Sequence, residues 1–197
     1  MNNQQKMMDW YNNSLNTYGE TDFRSLTWGS EDGGSARQRY EQMNDEISFK
    51  DNSIIEFGCG WGSFFDFGFT CKEYTGLDIN TRFIQLASKK HPFINFIESD
   101  VLLYNTNKQF DLAISSGVAG NQGGPADHPT KLKQYLTLMI NHANNVLVNF
   151  PSTWATIRSH NIEYFSPAST LEIALQVTNN VTLIHKSNKD FLLKLQR

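Results

Sequence analysis

Residues 53–67 read SIIEFGCGWGSFFDF, in which Gly58, Gly60 and Gly62 occupy alternate positions behind one apolar run and ahead of a second. An apolar run that ends in glycines is typical of a buried strand followed by a tight turn. Glycine is favoured where φ is positive or where another group approaches the backbone closely. In an open α/β sheet, such a turn lies beyond the carboxyl end of a strand, where ligands bind. The stretch therefore predicts a ligand site built on the backbone of residues 58–62.

Composition and charge limit the class of protein. The 197 residues are 39% hydrophobic with a mean hydropathy of -0.46, which fits one soluble domain with a sizeable core. No run reaches the roughly 18 apolar residues of a membrane span, and residues 1–10 do not resemble a signal peptide, so we expect a cytoplasmic protein with no membrane partner. The formal net charge of -3, without a block of Lys or Arg, disfavours a nucleic-acid partner. Two cysteines are too few for a disulfide framework or a cysteine zinc site, and we expect no metal.

After residue 50, short β-rich runs alternate with helical segments. The strand-like runs are 53–57, 73–78, 93–98, 110–115, 145–150, 181–185 and 191–195. The helix-like segments lie near 62–70, 80–90, 130–144 and 167–177. This alternation predicts a parallel sheet that is covered on both faces by helices. Only KSNKD separates the last two runs, so we expect them to pair antiparallel at the sheet edge.

Two further helices are expected before residue 50. Apolar residues recur there at helical spacing, first Met7, Trp10 and Tyr11, then Ala36, Tyr40, Met43 and Ile47. A polar, glycine-rich stretch separates the two groups and predicts a long loop.

The glycine pattern distinguishes between two classes of cofactor. The dinucleotide fingerprint G-x-G-x-x-G requires a third glycine where this chain has Ser63, which disfavours NAD or a flavin dinucleotide. IIEFGCGWGSF instead resembles the first motif of class I S-adenosylmethionine-dependent methyltransferases. The resemblance implies that the backbone of Gly58, Cys59, Gly60 and Gly62 contacts the methionine and ribose portion of the cofactor. It also implies that Glu56, at the end of the strand, belongs to the cofactor site. A tight turn that needs positive φ is the alternative explanation of the glycines.

Two acidic residues extend the resemblance. YTGLDIN places Asp78 and Ile79 at the end of a strand about 20 residues past the loop, where a carboxylate accepts hydrogen bonds from ribose hydroxyls. INFIESDVL then supplies Asp100 and Val101, whose family counterparts meet the adenine amino group and flank the ring. The alternatives are a helix start at Asp78 and a helix N-cap at Asp100.

A fourth stretch, FDLAISSGVAG, matches the fourth strand of the family, and the resemblance implies that Ser115, Ser116 and Gly117 border the cleft for methyl transfer. The four stretches run from residue 53 to about 120 in the family's order and spacing. They imply a single-domain, Rossmann-like α/β fold. The expected sheet has seven strands in the order 3-2-1-4-5-7-6, with strand 7 antiparallel and helices on both faces.

The acceptor is harder to read, because in-line methyl transfer needs few dedicated catalytic groups. Family members that methylate nucleic-acid bases carry [D/N/S]-P-P-[F/Y/W] after strand four, and this chain has SSGV there instead. We therefore expect transfer to O or N of a small-molecule acceptor. Two alternatives remain, a non-catalytic protein that binds S-adenosylmethionine or S-adenosylhomocysteine, and a protein or RNA methyltransferase. The candidate bases are His128 and His160.

The segment LTWGSEDGGSARQRYE resembles one found ahead of the first motif in some small bacterial methyltransferases of undetermined substrate. The resemblance implies that residues 1–48 form a helical lid or cap over an α/β core of residues 50–197. Trp28 would then cover the sulfonium or the acceptor. Arg39, or else Arg37, would pair with the methionine carboxylate, since a guanidinium can bind a carboxylate through two hydrogen bonds.

Overall fold

The helices and strands of the chain follow each other in the predicted alternation. The computed structural model describes residues 3–26, 31–121, 124–126, 128–159, 162–187 and 189–197. The α-helices of this part are α1 (Asn3–Tyr18), α2 (Gly34–Glu46), α3 (Ser63–Asp66), α4 (Thr81–Lys90), α5 (Pro129–His142) and α6 (Pro167–Ala174), and a 3-10 helix spans Phe23–Leu26. The strands are β1 (Ser53–Phe57), β2 (Glu73–Asp78), β3 (Asn95–Glu98), β4 (Phe110–Ser115), β5 (Ala143–Pro151), β6 (Asn180–Ile184) and β7 (Asp190–Gln196).

Most predicted elements are present, with shifts at their ends. The helix predicted near 62–70 is only the four-residue α3, and Gly68, with a φ of 83°, follows soon after its end. Strand β3 begins two residues later than predicted, because Ile94 N donates to His91 O at 3.0 Å and closes a turn there. None of the helices in the described ranges is long and apolar enough to cross a membrane.

The seven strands form one sheet in the order β3-β2-β1-β4-β5-β7-β6, which confirms the predicted topology. Strand β7 pairs antiparallel with both β5 and β6, and the other pairs are parallel. The chain order reverses between β1 and β4. Ligands bind beyond the carboxyl ends of the strands at such a reversal, so the fold places its crevice directly after Phe57 and Ser115.

The core lies on both faces of the sheet, because successive side chains of a strand point to opposite faces. On one face, Ile55 and Phe57 pack with buried residues of α5 and α6. On the other face, Ile54 packs with buried residues of α2 and with Phe64 of α3. A smaller cluster that includes Leu15, Leu26, Trp61 and Phe83 joins α1 to α4 and the 3-10 helix. The glycine loop lies between these clusters.

Candidate active site

The glycine loop is shaped by positive φ angles and by close side-chain packing. Gly58, Gly60 and Gly62 have φ values of 82°, 55° and 81°, a region that side-chain-bearing residues rarely adopt. A Cβ atom on Gly58 would lie 2.0 Å from Val118 Cγ2, and one on Gly60 would lie 2.8 Å from Leu26 Cδ2. Glycine is therefore required here for two reasons: the turn needs positive φ, which was the alternative explanation given above, and other groups approach the loop backbone closely. The approaching groups are side chains of the protein itself.

Asp78 joins the glycine loop to the start of α4. Its Oδ2 accepts a hydrogen bond from Gly60 N at 2.9 Å, and its Oδ1 accepts one from Asn80 N at 2.8 Å. The N-cap of α4 is Asn80, whose side chain accepts hydrogen bonds from Arg82 N and Phe83 N, so Asp78 is not needed for that purpose. Desolvation raises the pKa of Asp78 to about 6, although hydrogen bonds from the backbone oppose the shift.

Asp100 lies on the turn after β3 and contacts two parts of the chain. Its Oδ1 accepts a hydrogen bond from Leu102 N at 2.9 Å, which orders the turn and replaces the helix N-cap considered above. Its Oδ2 accepts a hydrogen bond from Gln4 Nε2 of α1, also at 2.9 Å. The carboxylate of Asp100 therefore connects the crevice to the N-terminal helix.

A cavity of about 500 Å³ extends from the glycine loop across the carboxyl ends of β1, β2 and β4. The predicted site residues that line it are Gly58, Gly60, Asp78, Ile79, Asp100, Val101, Ser116 and Gly117. The remaining lining residues are Gln4, Met7, Met8, Tyr11, Leu26, Asn80, Phe83, Leu102, Val118, Asn121, Gly124, Pro125 and Lys131. Eight of the predicted site residues, from four segments of the sequence, thus line one cavity.

Helix α1 covers this cavity with one of its faces. Gln4, Met7, Met8 and Tyr11 recur at spacings of three and four residues, so they share a side of the helix, and all four line the cavity. Tyr11 OH donates to Asn121 Oδ1 at 3.0 Å, and Gln4 Nε2 donates to Asp100 Oδ2 at 2.9 Å, so this face of α1 is bonded to residues that follow β4 and β3. Trp10, expected on the buried face, is instead 37% exposed.

Glu56 lies outside the cavity, and the place in the cofactor site implied for it needs correction. Its side chain is fully buried on the α2 side of the sheet. Tyr40 OH donates to Glu56 Oε1 at 2.5 Å, and Tyr74 OH donates to Oε2. Desolvation raises the pKa of Glu56 to about 7, against the opposing effect of the two hydroxyls. The carboxyl therefore anchors α2 and β2 beneath the glycine loop.

Three other predicted residues also lie outside the cavity lining. The side chain of Cys59 is buried in the α2-side core, and a Cβ on Gly76 would lie 2.8 Å from its Sγ. Gly62 faces Phe96, whose Cζ would lie 2.9 Å from an added Cβ. Ser115 is buried, and its Oγ accepts a hydrogen bond from Tyr135 OH at 2.7 Å. These residues support the loop and the end of β4 from within the protein.

Arg39, predicted to bind the methionine carboxylate, has partners within the protein. Its side chain is 14% exposed, and its NH1 lies 3.5 Å from Asp190 Oδ2. Its Nε donates to Ser116 Oγ at 3.4 Å, and Ser116 lines the cavity. Arg37, the other candidate, donates to the carbonyl oxygen of Phe67 at 3.4 Å. Neither arginine lines the cavity, because α2 packs against the sheet.

His128, one of the two candidate bases, does not line the cavity. His128 is exposed and caps α5, where its Nδ1 accepts a hydrogen bond from Thr130 N at 3.3 Å. A cap at a helix N-terminus explains this residue without a catalytic role. His160 and Trp28 lie outside the described residues.

The cavity also contains residues that the sequence motifs did not indicate, above all Gln4, Met8, Asn121 and Lys131. The spacing of three and four residues between Gln4, Met7, Met8 and Tyr11 could have indicated the face of α1 that borders the cavity. That face was hard to identify from the sequence, because Trp10 also fits the apolar helical pattern. Asn121 belongs to the irregular segment after β4, and Lys131 lies in the first turn of α5; no motif singled out either residue.

Residues 55–136 match the family model of a methyltransferase domain. No curated protein sequence matches the chain. Similar solved structures include the N-methyltransferase NodS from Bradyrhizobium japonicum WM9 in complex with S-adenosylhomocysteine, with a TM-score of 0.71 and 14% identity over 100% of this chain and 99% of that chain.

Two further structures have the same fold. Magnesium protoporphyrin IX methyltransferase (ChlM) from Synechocystis PCC 6803, with bound S-adenosylhomocysteine, has a TM-score of 0.70 and 13% identity and covers 100% of both chains. DesVI from Streptomyces venezuelae has a TM-score of 0.62 and 12% identity over 83% of this chain and 91% of that chain. The chain thus shares the fold of these solved methyltransferases, with the sheet order that its sequence predicted, and residues 55–136 carry the match to a methyltransferase domain.

Proposed function

We propose that the protein transfers a methyl group from S-adenosylmethionine to an oxygen or nitrogen atom of a small-molecule acceptor. The observation that carries the proposal is the single cavity that is bordered by the glycine loop, Asp78 and Asp100 and covered by α1. NodS and ChlM, which have this fold, were crystallised with S-adenosylhomocysteine, the product that S-adenosylmethionine leaves after transfer.

The residues at the cavity fit the cofactor chemically. A carboxylate has about four acceptor sites; Asp78 accepts hydrogen bonds from the amides of Gly60 and Asn80, and the amide of Ile79 also interacts with it. It therefore retains acceptor capacity for the ribose. Ile79 and Val101 are apolar, as contact with a flat base requires, and Asp100 can accept from the adenine amino group. These are the residues that would hold the adenosine portion.

S-adenosylmethionine, when bound, supplies a methyl group on a positively charged sulfur for attack by the acceptor. The contribution of this chain is to fix the two reactants in line and to exclude water. Met7, Met8 and Tyr11 of α1 provide the exclusion, since their side chains separate the cavity from solvent on that side. Tyr11 OH and Asn121 are the polar pair available to orient an acceptor.

The size and chemistry of the cavity favour a small acceptor. Its volume of about 500 Å³ is in the lower part of the ~300–1,000 Å³ range of small-molecule sites, and the cofactor would fill much of it. The lining that remains includes Met7, Met8, Phe83, Val118 and Pro125, which suit an acceptor with an apolar surface. The name of ChlM likewise specifies a small-molecule acceptor for that enzyme.

The lid in this proposal is α1, within a single domain that spans residues 1–197. Helix α2 belongs with the α/β core, since it packs against the sheet. Helix α1 makes polar pairs at its start and beyond its middle, Gln4 with Asp100 and Asn12 with Asn80. Opening of this helix would admit cofactor and acceptor, and its closure would complete the site.

Calorimetry with S-adenosylhomocysteine and with NAD tests the cofactor class. We expect S-adenosylhomocysteine to bind and NAD not to bind. The Asp78→Asn variant keeps the size of the side chain but removes its charge, so it should weaken S-adenosylhomocysteine binding by about 1.5–3 kcal/mol for each charge-assisted hydrogen bond lost. Tight binding of NAD, without binding of S-adenosylhomocysteine, would contradict the proposal.

Transfer of a labelled methyl group into a cell extract tests the acceptor class. The extract is separated by ultrafiltration after incubation with the protein and labelled S-adenosylmethionine, and we expect the label in the small-molecule fraction. Label in the macromolecular fraction would favour a protein or RNA acceptor. Binding of S-adenosylhomocysteine with no label transferred to either fraction would identify a non-catalytic binding protein.

A further inference from the structure

Gln4 and its neighbour Gln5 have different surroundings at the start of α1. Gln4 lines the cavity, and its Nε2 donates to Asp100 Oδ2 at 2.9 Å across 96 positions of sequence. Gln5 is exposed, and its Nε2 donates to Asp9 Oδ1 of the same helix, also at 2.9 Å. Of these two adjacent glutamines, Gln4 alone places its carboxamide beside the crevice.

The partner of Gln4 fixes which way its carboxamide faces. An ionised carboxylate only accepts hydrogen bonds, so Gln4 must turn its NH2 group toward Asp100. The carbonyl oxygen, Oε1, then remains as an acceptor next to Asp100. Within the described part of the chain, no group donates a hydrogen bond to Oε1. The turn after β3 therefore carries two neighbouring acceptors, one from Asp100 and one from Gln4.

Two neighbouring acceptors match an amino group that has two N–H donors. We propose that Gln4 is a specificity-determining residue for adenine, with Oε1 accepting one N–H of the adenine amino group while Asp100 accepts the other. The inference rests on the proposed function, which assigns the adenine of S-adenosylmethionine to the region of Asp100. It adds a contact from the N-terminal helix to a base site that the sequence motifs assign to the sheet alone.

The same arrangement discriminates against a base with a carbonyl oxygen in place of the amino group. That oxygen would face Asp100 and Gln4 Oε1, which are both acceptors. Rotation of the Gln4 carboxamide would present NH2 to the base, but it would break the hydrogen bond to Asp100. Gln4 thus contributes to specificity through the penalty on the wrong base as well as through the bond to the correct one.

The test compares S-adenosylhomocysteine with S-inosylhomocysteine, its deaminated analogue, by calorimetry on the full chain. Gln4→Met keeps the length of the side chain and removes the amide, and Gln5→Met is the matched control. We expect Gln4→Met to weaken S-adenosylhomocysteine binding by about 3- to 10-fold and to leave S-inosylhomocysteine binding unchanged or stronger, because the acceptor that faces its carbonyl oxygen is removed. Gln5→Met should change neither.

Two outcomes would overturn the inference while leaving the proposed function intact. Equal weakening of both ligands by Gln4→Met would mean that Gln4 only packs α1 onto the protein. Unchanged binding of both ligands would mean that Gln4 does not contact the base. Failure of the wild-type chain to bind S-adenosylhomocysteine would instead overturn the proposed function, and this inference with it.

Discussion

Helices α1 and α2 both precede the sheet in the sequence, but α2 packs against the core of the sheet, whereas the first half of α1 borders the cavity. In α2, Ala36, Tyr40 and Met43 are at most 1% exposed and pack against β1. In α1, the buried residues among those described are Ser14 and Leu15, and the inward face of its first half borders the cavity. The apolar face of α2 is completed by the core. Part of the inward face of α1 borders the cavity instead, so we expect the stability of α1 to depend on a ligand more than that of α2.

The largest expected difference between the two helices is in stability, and a matched pair of methionines measures it. Met43→Ala removes a fully buried side chain and should lower the free energy of unfolding by about 2–5 kcal/mol. Met7→Ala removes a half-buried side chain at the cavity and should cost about 1 kcal/mol or less. Urea denaturation of both variants provides the comparison. Similar losses for both would mean that α1 is as much a part of the core as α2.

Removal of residues 1–13 should separate binding from catalysis. The deletion retains Leu15 and its cluster but removes the cavity-facing side chains of α1. We expect S-adenosylhomocysteine affinity to fall by about tenfold, or 1.4 kcal/mol, because several contacts and the closed surface are lost. Methyl transfer should be abolished, since water enters and the acceptor is no longer aligned. Unaltered affinity and transfer would show that α1 is an ordinary packing element.

Hydrogen exchange sharpens the comparison without a mutation. Addition of S-adenosylhomocysteine should slow amide exchange in α1, because a filled cavity holds the helix closed. Exchange in α2 should change little, since its contacts are already complete. Mass spectrometry of peptides from the two helices gives both values in one experiment. Equal protection of α1 and α2, with and without ligand, would contradict the assignment of α1 as the lid.

We expect the affinity for S-adenosylhomocysteine to depend on pH through Asp78, which lines the cavity. Its pKa of about 6 means that the carboxylate becomes protonated below that pH and loses acceptor capacity for the ribose hydroxyls. Affinity for S-adenosylhomocysteine should therefore fall by up to about tenfold for each pH unit below 6. Calorimetry from pH 5 to pH 8 measures this dependence. The Asp78→Asn variant should bind weakly with little pH dependence over that range.

On the α2 side, pH should act on stability through Glu56, with a smaller effect. Its folded-state pKa of about 7 exceeds the ordinary value near 4.3, so the folded protein holds the proton more tightly than the unfolded chain. The resulting stabilisation is complete below about pH 4.3 and is lost as the pH rises through 7. Glu56→Gln should reduce this decline, by less than about 1.4 kcal/mol per pH unit. An unchanged decline in denaturation experiments would exclude Glu56 as its source.

Much of the fold follows from patterns within short stretches of the sequence. Strands β1, β2 and β4 have the predicted bounds, because each is a run of β-forming residues ended by glycine or by polar residues. The position of α2 could not be read in the same way. Its apolar spacing predicts a buried face but does not say which surface it meets, and that choice depends on Tyr40 reaching Glu56 across the chain.

The site residues whose positions follow from the strand order could be predicted from the sequence. Those whose positions depend on side-chain contacts were harder to predict. Asp78 and Asp100 follow strands, so the topology of the sheet brings them to one edge. Arg39 was expected at the cavity because of its charge, but Asp190 and Ser116 already engage it. His128 was expected there because of its loop, but it caps α5. For Arg39 the deciding contacts join residues that no local pattern relates, whereas for His128 the deciding contact is a local one with Thr130.

The close packing around the glycine loop has a consequence for the order in which the chain folds. Leu26, Phe96 and Val118 close on residues 58–62 from the 3-10 helix, from β3 and from the segment after β4. Contacts between such distant segments form late in folding, because each requires a long stretch of chain to close. A nascent chain that has emerged only as far as β2 would lack two of these three side chains. The cofactor would therefore stabilise the finished domain, but it would not serve as a template on which the domain forms.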